Sequence, residues 1–141
     1  MTFTFLVYVW RKPGLSPAQF KHYYETVHIP LVTSIVGDSW PLTHVRRYTA
    51  LKEDSSGPSV MLGDPASFDY DVLVEETFED EGAFQRFYDV VRHPDHAKTI
   101  EEDEDRFLDR ARMRVVVVGD IVSISPEQRA ALIGKGSSGK V

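Results

Sequence analysis

Four residues on one helical face, Phe20, Tyr23, Tyr24 and Val27, return 64 positions later as Phe84, Phe87, Tyr88 and Val91. Pro30 returns in the same way as Pro94. Each set falls at i, i+3, i+4 and i+7, the spacing of one face of an α-helix. The first helix is well marked at its start, with Ser16 as N-cap, Pro17 at the first helical position and Gln19 completing a capping box. It is expected to end near His28, because Pro30 disfavours helical geometry at Ile29, with a short further turn through Leu31 to Val36. The second runs from Asp80 to about Arg92.

Each of these helices follows one strand-like segment and precedes another. Residues 3–10 are rich in aromatic and β-branched side chains and stop before Pro13-Gly14. Residues 43–51 alternate as a strand does, residues 52–67 carry the Ser, Gly and Pro of a loop, and residues 68–78 form a third strand. A third helix, strongly acidic, is expected over 93–108 with a stripe of Ala97, Ile100, Phe107 and Leu108. A long final strand over 113–118 and 121–124, bent at Gly119, closes the order. The plan is β-α-β twice over, an α+β ferredoxin-like βαββαβ domain. A doubly wound parallel sheet fits less well, since there are four strands and no Gly-rich first turn.

The chain's 141 residues suffice for one core. Residues 1–125 are assigned to the domain and 126–141 to a flexible C-terminal tail, a short helical pattern (PEQRAALI) running into GKGSSGKV. The first strand is apolar on both alternating faces, Phe3, Phe5, Val7 and Val9 on one and Leu6, Tyr8 and Trp10 on the other. With helices on one side only, the second face would be a large exposed patch. Two such sheets facing each other across a two-fold axis would cover it, so a homodimer enclosing a cavity is expected.

A net charge of −6 argues against a nucleic-acid or anionic-membrane partner, and the absence of cysteine excludes disulfides and thiolate chemistry. The apolar N-terminal run lacks a basic lead-in and a cleavage site and is too short to span a bilayer, so a cytoplasmic location is expected.

Among the five histidines, His22 lies off the apolar stripe and reads as a solvated surface residue. Two roles are open to His28: an imidazole interacting with the helix C-terminus, or a general acid or base at a pocket mouth. His44, Arg46 and Tyr48 share one strand face. Pointing into the dimer cavity they supply a proton donor, an anion clamp and a phenol; pointing to solvent they do neither, and Val45 is the buried neighbour. Tyr8, Trp10, Tyr48, Phe68 and Tyr70 are candidates for a flat aromatic pocket. His93 and His96 lack a third ligand, so no metal is assigned, and the acidic run Glu101 to Asp105 reads as a solvated helix face. No nucleotide fingerprint, nucleophile elbow or haem motif is present, which leaves acid–base chemistry without a cofactor.

The segments RKPGLSPAQFKHYYETVHIPLV, PLTHVRRY, GDPASFDYDVLVEETFEDEGAF and DEDRFLDRARMRVVVVGD resemble the EthD-domain family over about residues 3–124. The resemblance is nearest to small fungal decarboxylases of anthrone carboxylic acids from aromatic polyketide clusters. It implies a dimeric α/β barrel, an aromatic polyketide substrate and a cofactor-free reaction, with His28 in VHIPL and His44 in LTHVRRY as functional positions. Arg46 would then hold the substrate's carboxylate or a peri-hydroxyl oxygen. Anthrone oxygenation, polyketide cyclisation or dehydration in the same fold, and non-catalytic binding of an aromatic molecule, are the alternatives.

Overall fold

A computed structural model describes residues 1–138. The elements are β1 (Phe3–Val9), α1 (Pro17–Tyr23), a π-helical turn (Tyr24–His28), α2 (Ile29–Val36), β2 (Thr43–Tyr48), β3 (Val72–Phe78), α3 (Glu81–Arg92), α4 (Pro94–Glu104), β4 (Arg114–Val117) and α5 (Pro126–Ser138). The four strands form one antiparallel sheet in the order β2-β3-β1-β4. This is the ferredoxin-like α+β arrangement expected from the doubled β-α-β pattern.

Strand alternation decides what is buried. Phe5, Val7 and Val9 of β1 and Val72, Val74 and Phe78 of β3 form the core with Phe20, Tyr24 and Phe107 from the helical side. Full burial of each large side chain contributes about 1.5–3 kcal/mol. On the other face, Leu6, Tyr8 and Leu73 are half-buried, while Val45 and Val116 are 36% and 50% exposed.

The first helix departs from expectation in an instructive way. Its start is as read, with the Ser16–Gln19 capping box closed in both directions. It does not end at His28. The Ile29 N–H donates to the Tyr24 carbonyl, five residues back, and helix continues through Pro30 to Val36. Proline has no N–H to give, and its ring crowds the carbonyl four residues earlier, so a wider turn before it lets the helix pass. That turn holds one residue more than an α-turn, which advances the helix phase by about 100°. The buried series is therefore Phe20, Tyr24 and His28, and Val27, expected on the stripe, is 40% exposed.

Several boundaries also move. β2 stops at Tyr48, and Phe68 lies in a 3-10 turn (Pro65–Phe68) rather than on β3. α4 ends at Glu104, leaving Phe107 and Leu108 buried in the segment that follows. β4 ends at Val117, and residues 121–124 are not strand. α5 carries the helical pattern beyond Ile133 through Ser138; the last three residues of the expected flexible tail, 139–141, lie outside the described residues.

Candidate functional site

A cavity of about 490 Å³ lies between the helices and the sheet of a single chain. Its walls are mostly apolar and aromatic, including Phe5, Tyr24, Trp40, Val74, Phe84 and Phe87, and they carry His28, His44 and Glu76. This cavity lies within one protomer, on the helix-covered face of the sheet, and is distinct from the one expected between two facing sheets. Strand register puts His44 on that face. His44 pairs with Glu76, Arg46 with Val74 and Tyr48 with Val72, so the His-x-Arg-x-Tyr stripe shares the helix-covered face of β3.

His28 is brought to the cavity by the π turn. Its Nδ1 lies 2.8 Å from Asp103 Oδ2, and the Tyr23 hydroxyl donates to Asp103 Oδ1 at 2.6 Å. A carboxylate only accepts, so Nδ1 carries the proton and Nε2 holds the lone pair. Burial pulls the His28 pKa below its ordinary value, with Asp103 opposing. His28 is accordingly neutral at pH 7, an oriented imidazole with a basic nitrogen.

His44 has the opposite tautomer. Arg46 Nη1 lies 2.8 Å from His44 Nδ1, and a guanidinium can only donate, so Nδ1 accepts and Nε2–H is the donor. Arg46 is itself gripped by Glu25 through Nε and Nη2 at 2.5 and 2.8 Å, and the Tyr48 hydroxyl donates to the same carboxylate at 2.5 Å. Arg46 holds the Glu25 pKa below the usual carboxylate range. Burial, and then the Arg46 charge, push His44 down to about 4. Trp40 stacks on the His44 ring with centroids 5.2 Å apart and planes 15° from parallel. Arg46 thus fixes His44, and both Arg46 and Tyr48 are engaged with Glu25 rather than directed at a ligand.

Glu76 stands opposite His44 in the strand pair, with Oε2 4.0 Å from Nε2, beyond hydrogen-bond reach. Its side chain is only 12% exposed, and burial pushes its pKa up to about 7. Near neutrality it therefore exists as both carboxylic acid and carboxylate. Glu104, also on the cavity wall, is pushed up to about 7 by burial against the opposing pull of Arg110. The lining arginines are matched by carboxylates: Arg92 lies 3.9 Å from Glu101, and Arg110 3.6 Å from Glu101 and 3.7 Å from Glu104.

Sequence reasoning did not single out Glu76 or Asp103, although both left a trace. Glu76 occupies the inward slot of an alternation that is otherwise Val72, Val74 and Phe78. Asp103 sits between Ile100 and Phe107 at i+3 of an apolar stripe, and it is 2% exposed rather than part of a solvated acidic face. An ionisable residue in a core slot was the available signal in each case.

The expected aromatic pocket does not assemble as one unit. Tyr8 and Trp10 meet Tyr70 edge-on at 5.3 and 6.3 Å on the far side of the sheet, where Arg112 and Arg114 lie over Trp10. Tyr48 belongs to the helix-covered face, and Phe68 is 37% exposed at the surface. The period-two alternation of β1 and β2 separates these residues. His22 is exposed, and His93 caps α4 by accepting from the Asp95 N–H. Among the described residues, no group of three or more His, Asp or Glu side chains has an arrangement that holds a metal ion.

Comparison with known proteins follows the same outline. Three solved structures share the fold: an ethyl tert-butyl ether d (EthD) family protein from Bacillus halodurans C-125, an EthD-like protein from Ralstonia eutropha JMP134, and the Arabidopsis thaliana protein At3g17210. The first is 16% identical with a TM-score of 0.52, covering 84% of this chain and 99% of its own. The second is 16% identical at 0.53, covering 89% and 96%, and the third 17% identical at 0.51, covering 86% and 97%. No curated protein matches. The model of the EthD domain matches residues 12–111, the span that contains His28, His44, Glu76 and Asp103, and the chain belongs to the EthD domain family.

Proposed function

We propose that the cavity is the active site of a cofactor-free decarboxylase acting on an aromatic polyketide carboxylic acid. The observation that carries this reading is the pair of histidines held in opposite tautomers beside a buried, protonatable Glu76. A hydrogen-bond donor, a hydrogen-bond acceptor and a proton donor then share one apolar, aromatic-walled space, which suits a flat substrate with a ketone and a phenolic hydroxyl.

In the proposed step, His44 Nε2–H donates to the ketone oxygen of a β-keto acid. The bond from the ring to the carboxylate breaks, carbon dioxide leaves, and the electron pair is delocalised onto that oxygen as an enolate. Glu76, as the acid, gives its proton to the ring carbon and recovers one from water. His28 Nε2 accepts from a phenolic hydroxyl and fixes the ring's orientation. The resemblance to fungal anthrone-carboxylic-acid decarboxylases supports the substrate class, and a cytoplasmic site of action belongs to the same proposal. Among the described residues no helix is long and apolar enough to cross a membrane. A homodimer through the open sheet face, where Leu6, Tyr8 and Val116 lie, is likewise proposed.

A second reading, proton abstraction leading to anthrone oxygenation or to cyclisation, is favoured by the Asp103-oriented His28 base. Incubation with an anthrone carboxylic acid separates the readings: carbon dioxide release supports decarboxylation, oxygen uptake supports oxygenation, and unchanged bound ligand supports a binding protein. Under the decarboxylase reading, His44→Ala and Glu76→Gln each lower the rate by about 10²–10⁴-fold. The wild-type rate falls as pH rises through about 7, where Glu76 loses its proton, and Glu76→Gln abolishes that limb. Full rates in both variants would rule out the mechanism.

A further inference from the structure

The helical wall of the cavity carries a carboxyl that the acid–base chemistry above does not use. Ala97, Ile100 and Glu104 fall at i, i+3 and i+7 on α4, one face of that helix, and all three line the cavity. The Glu104 side chain is only 21% exposed, and among the described residues no group donates a hydrogen bond to it. Arg110 Nε lies 3.7 Å from Glu104 Oε1, beyond hydrogen-bond reach, and Arg110 gives its Nη1 hydrogen bond to Asp105 instead. A carboxyl held at an apolar wall without a donor is costly to bury, and a donor that arrives with a ligand removes that cost.

The surrounding charge says which donor fits. Glu101 and Glu104 face Arg92 and Arg110, two carboxylates against two guanidinium groups. An entering anion meets the carboxylates and an entering cation meets Arg110, so a neutral hydroxyl is the suitable partner. Burial pushes the Glu104 pKa up to about 7, and in either protonation state an oxygen is left to accept. We propose that Glu104 is a specificity-determining residue, accepting a hydrogen bond from a phenolic hydroxyl at the end of the substrate remote from its reacting carboxyl group. His44 and Glu76 stand on the sheet wall and Glu104 on the helical wall, so a flat molecule that meets both carries polar groups at its two ends. The inference rests on the reading of the cavity as a site for flat hydroxylated aromatic molecules. It adds which of them are taken: those that keep a free hydroxyl on the far ring.

The test is binding to the full chain, measured by calorimetry with 2,6-dihydroxyanthraquinone and its monomethyl ether. The two probes share one hydroxyl and differ only in whether the other end can donate. The wild-type chain is expected to prefer the dihydroxy compound by about tenfold. Glu104→Leu is expected to remove that preference while still binding the ether, which a general collapse of the cavity would not do. Glu104→Gln keeps a carbonyl acceptor without the charge and is expected to retain a preference of about threefold. Equal affinities in the wild-type chain overturn the proposal, as does a preference that survives Glu104→Leu. Should the leucine variant fail to fold, an undiminished preference in Glu104→Gln overturns it. Failure of both probes to bind the wild-type chain removes this inference together with the reading it rests on. The tenfold preference without carbon dioxide release from an anthrone carboxylic acid supports the role of Glu104 and removes only the decarboxylation.

Discussion

The helices that follow β1 and β3 begin from the same pattern, an aromatic stripe closed by a proline, and they treat the proline differently. In the first, the π turn absorbs Pro30 and the helix runs on to Val36, carrying His28 inward and Val27 outward. In the second, α3 ends at Arg92, His93 turns extended, and Pro94 opens a new helix. The first solution places an imidazole in the core; the second places Asp103, on the new helix, where it meets that imidazole. The duplication therefore supplies a frame, and the site arises where the copies differ. The His28–Asp103 pair joins the two halves across 75 positions of sequence.

The largest test of this contrast falls on the pair itself. Asp103→Asn keeps the size of the side chain but lets its amide donate to His28 Nδ1, which moves the proton to Nε2 and removes the base. Any step that uses His28 as a base is expected to slow by about 10²–10⁴-fold, with ¹⁵N shifts of the imidazole reporting the tautomer change. A rate loss without a tautomer change would show that Asp103 acts only through packing.

Next come the matched phenylalanines. Phe20 is 1% exposed, and Phe20→Ala is expected to cost about 3–5 kcal/mol in denaturant unfolding. Phe84, half-buried on the cavity wall, is expected to cost roughly half of that. Equal losses would mean that the two helices carry the core alike. The smallest effect separates Val27 from Val91. Val27→Ala should change stability by no more than about 0.5 kcal/mol, because the π turn has rotated that position outward, whereas Val91→Ala should cost about 1 kcal/mol. A larger loss at Val27 would break the phase argument.

The duplicated stripes, the four strands and the capping box could be read from the sequence because each depends on local periodicity. The π turn could not, since it answers a steric demand from Pro30 that an α-helical period has no term for. The face of the His44 stripe was hidden for a related reason: alternation says that His44, Arg46 and Tyr48 share a face, but only register against Val72 and Val74 says that it is the helix-covered one. His28 and His44 could be singled out as ionisable groups beside a proline and on a strand. Glu76 and Asp103 were hidden by their charge, which ordinarily marks a solvated position and here occupies a core slot.

The neutralised arginines have one more consequence. The lining Arg92 and Arg110 are matched by the carboxylates of α4, and Arg46, behind His44, is matched by Glu25, so the cavity offers an anion little reward for entering. For a decarboxylation, the substrate carries a carboxylate and the product does not. The product would then be the better ligand, and progress curves should slow as it accumulates, with turnover limited by release rather than by bond cleavage.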